Sequence, residues 1–383
     1  MDFSNIPGIA ILGAGIFVGE AYLPALATLG PTSPKLKAVY SRSEKSASET
    51  AQTATKILNL SSSPDIYYDG NHQNNLDALL GRSDIAAVII ALPITLQPII
   101  VVKCLSAGKH VLSEKPVAPD VARGIQLLGD TEPICKRQGL VWHVAENYEV
   151  EPVYCAARDA IKAGKIGDVI FFKASVVNYI DKTSKWYKTP WRTVPDYQGG
   201  FLLDGGVHTI AALRTILPQP LTHLSGFASL NKDYLAPHDT IHSVIRAGSH
   251  YHGIVEMTFA SPTQKTPAAE NIVITGSKGW LACNPSPEGF KLVIRAAEES
   301  DSDSEPAKEK EEVATFPRKG VETELVAFFD DIVKQGAGKP TSGVGDPKAA
   351  LGDVAFIQAA LNSEGNLIDL IELVQASSSK ESS

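Results

Sequence analysis

The chain is poor in several things at once. Of its 383 residues only Cys104, Cys135, Cys155 and Cys283 are cysteine, no two form a C-x-x-C pair, and no histidine cluster lies beside them. That spacing argues against a disulfide framework and against a zinc site; reduced thiols in a cytoplasmic chain are expected. The remaining histidines show no metal-ligand spacing with carboxylates, so no metal is expected. No apolar stretch reaches the roughly 18 residues that a membrane-spanning helix needs. The opening MDFSNIPGIAILGAG lacks the basic region of a secretory signal, and the closing SSSKESS reads as a frayed tail. Positive charge is also scarce: 35 Lys and Arg stand against 43 Asp and Glu, a formal net charge of -8. Without a basic stripe the chain is ill suited to nucleic acid, although a small anionic cofactor needs only local amides and one or two cations.

What is present is an ordinary globular composition, 44% hydrophobic and 20% charged, on a length that suggests two domains. The first part alternates strand and helix. Strands are expected at 9–12, 36–40, 85–92, 110–112 and 140–144, with helices from the first glycines to 29 and at 44–58, 95–107 and 119–138. Repeated βα units of this kind imply a doubly wound parallel sheet. After a boundary near 145–150 and a helix at 151–163, the pattern becomes β-rich and alternating, with strands at 169–178, 221–230, 241–246, 253–259, 272–276 and 290–294. The fold class expected is α/β: an N-terminal Rossmann domain over 1–147 and a C-terminal α/β domain over 148–375 with an open, mainly antiparallel sheet. Helices at 322–333 and 347–361 close the chain, the C-terminal helix packing back on the first domain. The charge run 298–312 (EESDSDSEPAKEKEE) reads as a solvated loop.

The first strand runs into Gly13-Ala14-Gly15-Ile16-Phe17-Val18-Gly19. Gly13 suits a tight turn, and Gly15 lets the backbone approach a pyrophosphate seated on the following helix N-terminus. The third glycine of a G-x-G-x-x-G loop is replaced by Val18, with Gly19 one place late; an ordinary strand-to-helix turn also uses glycine, so the loop alone is a weak signal. The second strand ends Tyr40-Ser41-Arg42-Ser43, without the Asp or Glu that would accept from a ribose 2′-hydroxyl. Ser41 and Arg42, with Lys45 as a second cation, suit a 2′-phosphate instead, so NADP is expected over NAD. An exposed loop arginine is the competing reading.

The stretch Ala107-Gly108-Lys109-His110-Val111-Leu112-Ser113-Glu114-Lys115-Pro116 resembles the signature of the glucose-fructose oxidoreductase / inositol dehydrogenase / rhizopine-catabolism (Gfo/Idh/MocA) family. Trp191-Arg192 followed by Gly199-Gly200-Phe201-Leu202-Leu203-Asp204-Gly205-Gly206-Val207-His208 is similar to the family's second element, and Gly345-Asp346 with the helix after it to a third. With Ala145-Glu146-Asn147-Tyr148, the resemblance is closest to a fungal NADPH-dependent branch. It implies a cofactor set of Gly13, Gly15, Ile16, Phe17, Ser41, Arg42, Lys45, Leu92, Pro93, Gln97, Glu114, Lys115 and Asn147, and a homo-oligomer, dimer or tetramer. Two positions depart from the pattern. Gln97 stands in the region where the family often has histidine, and Phe201 replaces a glycine, with an altered pocket wall as the expected result.

Hydride transfer between C–OH and nicotinamide needs a group that handles the oxygen's proton and a cation that holds the oxygen. His208 is the natural acid/base because imidazole titrates near neutrality. Asp204, four residues earlier, shares its face if the segment is helical and can orient the imidazole or a substrate hydroxyl. Lys115 closes the fifth strand, at the rim where such sheets bind ligands. Each has a plainer alternative: a helix N-cap for Asp204, a structural histidine for His208, an exposed strand-end lysine for Lys115. Tyr148, Trp191 and Arg192, with Trp186 and Tyr187 nearby, are candidate substrate contacts; core packing is the competing reading for the aromatics. Three functions follow from the residues: an NADP-dependent oxidoreductase of a sugar, polyol or related hydroxy/carbonyl compound; a non-catalytic NADP-binding regulator; or a dehydrogenase of a cyclic diol or secondary metabolite.

Overall fold

Six short runs build the first sheet of the computed structural model, which describes residues 2–70, 72–265, 271–298 and 308–376. They are β1 (Ile9–Leu12), β2 (Leu36–Ser41), β3 (Asp65–Tyr68), β4 (Ala87–Ile90), β5 (His110–Glu114) and β6 (Trp142–Ala145), all parallel, in the order β3-β2-β1-β4-β5-β6. Every residue of β1 and β4 is buried, as both faces are covered, so these strands read as continuous apolar runs. The connecting helices are α1 (Leu23–Leu29), α2 (Glu44–Ile57), α3 (Leu76–Leu80), α4 (Gln97–Ser106) and α5 (Val121–Gln138). Ser43, Asn75 and Asp120 cap α2, α3 and α5 by accepting from Ser46, Ala78 and Arg123 backbone N–H groups, which fixes where each helix starts. Strand order reverses between β1 and β4, so ligands are expected outside the carboxyl ends of these strands.

The chain divides into two units, Met1–Asn147 with Val321–Leu351, and Tyr148–Gly320 with Gly352–Ser383. The second is built from α6 (Pro152–Lys162), β7 (Val169–Val177), α7 (Pro190–Thr193), α8 (Phe201–Ile216), β8 (Leu221–Ser229), β9 (Thr240–Ala247), β10 (Tyr251–Thr258), β11 (Ile272–Gly276), β12 (Gly279–Ser286), β13 (Gly289–Ala297) and β14 (Glu309–Phe316). The C-terminal elements are α9 (Gly320–Gly336), α10 (Pro347–Asn362), β15 (Ile368–Asp369) and α11 (Leu370–Ala376). Nine strands form one sheet, β14-β13-β12-β11-β7-β10-β9-β8-β15, antiparallel except for the β7–β10 pair. From Ile241 on in β9, and along β10, burial alternates residue by residue, so one face is packed and the other open.

Two expectations need correction. The charge run is not all loop: Glu309 to Glu312 lie in β14, paired to β13, while 299–307 and the tail 377–383 fall outside the described residues. An edge strand can carry charge on both faces, and that erased the alternation by which strands are recognised. Arg295 holds Glu309 and Glu311 from the neighbouring strand, and Lys165 reaches Glu312 at 2.6 Å. The 148–375 span is also interrupted, because Val321–Leu351 belong with the first unit. Leu325, Phe328 and Phe329 of α9 are fully buried there, in one cluster with Phe3, Ile11 and Val39. No described helix is long and apolar enough to cross a membrane, and the four cysteines are free thiols.

Candidate cofactor and catalytic sites

The expected cofactor residues of the first unit gather where its strands end. Gly13 follows β1 with φ 129°, and a Cβ there would sit 2.2 Å from the Ala91 carbonyl oxygen just past β4, so no other residue fits the turn. A Cβ on Gly15 would meet nothing within 4 Å, which leaves the side of the loop open to a ligand. The late glycine has a structural counterpart: Val18–Tyr22 is a π-helical turn, in which the Leu23 N–H reaches back five residues to the Val18 carbonyl. The wider turn absorbs the extra residue between the glycines. Val18, in place of the third glycine, is wholly buried.

Past β4, Pro93 accepts backbone bonds from Leu96 and Gln97, and Gln97 opens α4. Only 1% of Gln97 is exposed, yet neither atom of its carboxamide has a hydrogen-bond partner among the described residues. A buried amide of this kind calls for a polar ligand. Together with the glycine turn at the switch point, it fits a dinucleotide. At the end of β2, Ser41 is nearly buried and its Oγ lies 2.7 Å from Ser46 Oγ, which also meets Ser43 Oγ at 2.7 Å. Arg42 is exposed and makes no hydrogen bond or ion pair with another described residue, whereas Lys45 pairs loosely with Glu49 at 3.9 Å.

The signature around β5 splits in two. At its entry, Lys109 is buried and donates to the Arg82 and Ile85 carbonyls at 2.6 and 2.8 Å. His110 accepts from the Val141 N–H through Nδ1 at 3.0 Å, and burial pushes its pKa down to about 4. At its exit, Glu114 accepts from the Tyr22 hydroxyl at 2.6 Å, a bond spanning 92 residues of sequence. Burial, then the Glu114 charge, hold the Tyr22 phenol well above its ordinary pKa. The Glu114 carboxylate thus ties the first helical turn to β5, a structural duty beside its expected cofactor contact. Lys115 follows at the rim, and Asn147 ends the unit after β6.

In the second unit α8 begins at Phe201, capped by Gly200, so Asp204 lies inside the first turn and is not the N-cap. Asp204 and His208 share one face. Gly206 lies on the opposite face, where a Cβ would come within 3.0 Å of Met257 Sδ and 3.1 Å of Ile357 Cδ1; the glycine lets α8 press against β10 and α10. Phe201 packs against Phe259 with ring centroids 5.8 Å apart and is buried, so it is core, not the altered pocket wall expected for it. Asp204 is 6% exposed and accepts from Arg192 Nε at 2.7 Å. The Arg192 guanidinium lies 4.1 Å from the Trp191 ring centroid and 5.1 Å from that of Trp186. The buried Tyr197 phenol is held well above its usual range, by burial first and by the Asp204 charge next. Tyr148 stacks on His208, with centroids 4.8 Å apart and planes 28° from parallel.

The second unit thus brings Asp204, Arg192, Trp191 and Trp186 into one cluster, and sets Tyr148 on His208. The first collects Gly13, Leu92, Pro93, Gln97, Ser41, Arg42, Glu114 and Lys115 along the carboxyl ends of its strands. The Arg192–Asp204 bond was invisible in sequence, since its partners sit on two different helices, α7 and α8, joined by an irregular segment. Among the described residues, no group of three or more His, Cys, Asp or Glu side chains is placed to hold a metal ion.

Comparison with known proteins bears on both units. Residues 8–145 match the profile of the oxidoreductase family with an NAD-binding Rossmann fold, and residues 154–282 match the GFO/IDH/MocA C-terminal domain. Dehydrogenase FPY6 of Fusarium mangiferae is 37% identical over 366 residues, covering 93% of this chain and 96% of the relative. Among solved structures, an oxidoreductase from Thermotoga maritima superposes with a TM-score of 0.78 at 28% identity, over 95% of this chain and 98% of that one. A 3-ketoreductase from Actinomadura kijaniata, solved with NADP and TDP-benzene, shares the fold with a TM-score of 0.69 at 20% identity, over 92% and 96% of the two chains.

Proposed function

The chain belongs to the Gfo/Idh/MocA family of oxidoreductases, and on that premise we propose that it transfers a hydride between NADP(H) and a sugar, polyol or related hydroxy/carbonyl compound. The nicotinamide supplies or accepts the hydride; the chain's own residues hold the substrate oxygen and handle its proton. During reduction His208 donates the proton to that oxygen. Lys115 polarises it with its ammonium. Asp204 fixes the substrate, through the Arg192 it orients. Gly13, Gly15, Ile16 and Phe17 receive the pyrophosphate, Leu92, Pro93, Gln97, Glu114 and Asn147 complete the cofactor contacts, and Trp191 and Tyr148 supply faces for the substrate.

The observation that carries the cofactor reading is the end of β2, where Tyr40-Ser41-Arg42-Ser43 holds no carboxylate and the exposed Arg42 guanidinium is engaged by no other described residue. Fluorescence titration with NADPH and NADH tests it. Wild type prefers NADPH, and Arg42→Ala loses roughly 10- to 100-fold of that preference, the worth of a charge-assisted hydrogen bond. An unchanged ratio refutes the 2′-phosphate assignment. The substrate class is tested by NADPH oxidation across aldehydes, ketoses and anhydro-sugars, and by NADP+ reduction with cyclic diols; complete inertness with NADPH still bound favours the regulator, and NADP+ reduction by cyclic diols alone the secondary-metabolite dehydrogenase.

We place the protein in the cytoplasm, in line with its four free thiols. We also propose self-association through the open sheet face, which exposes Phe171, Phe227, Val244 and Ile254. A monomer by sedimentation at micromolar concentration counts against a dimer or tetramer.

A further inference from the structure

Resting on the reading of His208 as the acid/base, we propose that Tyr148 is a positioning residue: its ring, stacked on the imidazole, holds His208 in the orientation that delivers the proton.

The stack is supported on the side away from α8. Tyr148 lies 5.3 Å from Tyr154 of α6 and meets Phe290 of β13 edge-on at 6.1 Å; the other face of this group is closed by Arg318, 4.4 Å from the Phe290 centroid. Tyr148 therefore cannot swing away from His208 without disturbing packed rings. Its backbone is anchored just as firmly. The Glu149 carbonyl accepts from Thr215 Oγ1 at 3.4 Å and from Cys155 Sγ at 3.8 Å, and the Glu149 carboxylate pairs with Arg214 at 3.6 Å. Arg214 in turn forks onto Asp353, 2% exposed, at 3.2 and 3.0 Å.

Thr215 and Arg214 belong to α8, the helix that carries His208. The helix therefore bears both the imidazole and, about 9 Å further along at 1.5 Å per residue, the anchors of the residue that covers it. Movement of the 148–150 segment relative to His208 is suppressed by a reference built into one helix. A half-buried imidazole has two free side-chain torsions, and a ring against its face removes most of that freedom. The phenol oxygen has no part in this.

The test uses Tyr148→Phe and Tyr148→Leu in the full-length protein with NADPH bound. The readouts are the melting temperature, the NADPH Kd, kcat with the fastest ketose or aldehyde of the screen above, and the His208 Cε1–H resonance in protein labelled with ¹³C-histidine. His208→Ala assigns the resonance. Tyr148→Phe is expected to keep the upfield ring-current shift and to lower kcat by less than Tyr148→Leu does. Tyr148→Leu is expected to lose the shift and lower kcat on the order of tenfold, with NADPH Kd unchanged. The proposal is overturned if Tyr148→Leu leaves kcat unchanged, or if Tyr148→Phe loses as much as Tyr148→Leu, which would assign the effect to the hydroxyl. A His208→Ala variant with wild-type kcat overturns the acid/base reading and this role with it. That result is distinguished from failure of the stack by the resonance, which still moves in Tyr148→Leu.

Discussion

The two ends of β5 carry charged residues of one signature, and they stand in opposite surroundings. At the entry, Lys109 spends its ammonium on two backbone carbonyls and His110 its Nδ1 on a backbone N–H; both are partly or wholly buried and neither is available to a ligand. At the exit, Lys115 stands on the rim of a parallel sheet, where strand ends meet ligands. Motif membership does not separate the two lysines, six positions apart, but strand direction does. Residues that lead into a parallel strand are drawn into the layer they enter, and those that leave it are presented at the rim.

The most severe way to break this contrast is to mutate each lysine. Lys115→Ala is expected to lower kcat about 10²- to 10³-fold, as for loss of a preorganised charge, with an unchanged melting temperature. Lys109→Met leaves two carbonyls without their donor and is expected to cost about 3 kcal/mol by urea denaturation, with normal kcat per folded molecule. A reversal of these outcomes would erase the distinction between the ends.

His110 sharpens it through pH. Its pKa is pushed down to about 4 in the folded chain, against about 6.5 when unfolded. Between those values the unfolded chain binds more protons, so stability contributed by the neutral ring is present above about pH 6.5 and is lost as pH falls toward 4. His110→Asn, whose side-chain oxygen can still accept from Val141, should flatten the denaturation midpoint across that window; an unchanged slope assigns the dependence elsewhere. The smallest effect belongs to Lys45 at the end of β2. Its ammonium is exposed and only loosely paired with Glu49, so Lys45→Ala should change NADPH affinity by no more than about twofold. A larger loss would make it a true phosphate ligand alongside Arg42.

What could be read from sequence was local. β1, β2, β4, β5 and β6 announce themselves because each is a buried apolar run stopped by glycine, proline or a polar turn, and Asp204 and His208 share a face because a helix repeats every 3.6 residues. The edge strand β3 carries no such run and went unread. β12 was missed as well, since Pro285 and Asn284 break its pattern and only its pairing with β11 and β13 defines it. Side-chain partnerships were the least legible. Nothing near Glu114 points to Tyr22, and nothing near Asp204 singles out Arg192 as its cation, because both bonds are products of chain return. The same holds for α9, whose Phe328 and Phe329 fit the first unit's core no differently, on paper, from the second's.

The outermost strand of the large sheet has a consequence for how copies of this chain behave when crowded. A free strand edge is a template: any extended segment can dock on its unmet N–H and C=O groups, and polymer growth starts there. Here that edge is β14, whose first four residues are Glu309, Lys310, Glu311 and Glu312. An incoming backbone would have to settle among three carboxylates and strip their water to do so. The far edge, β15, is only two residues long and too short to seed anything. Charge at one selvedge and brevity at the other thus both work against edge-on pairing of this sheet with its neighbours.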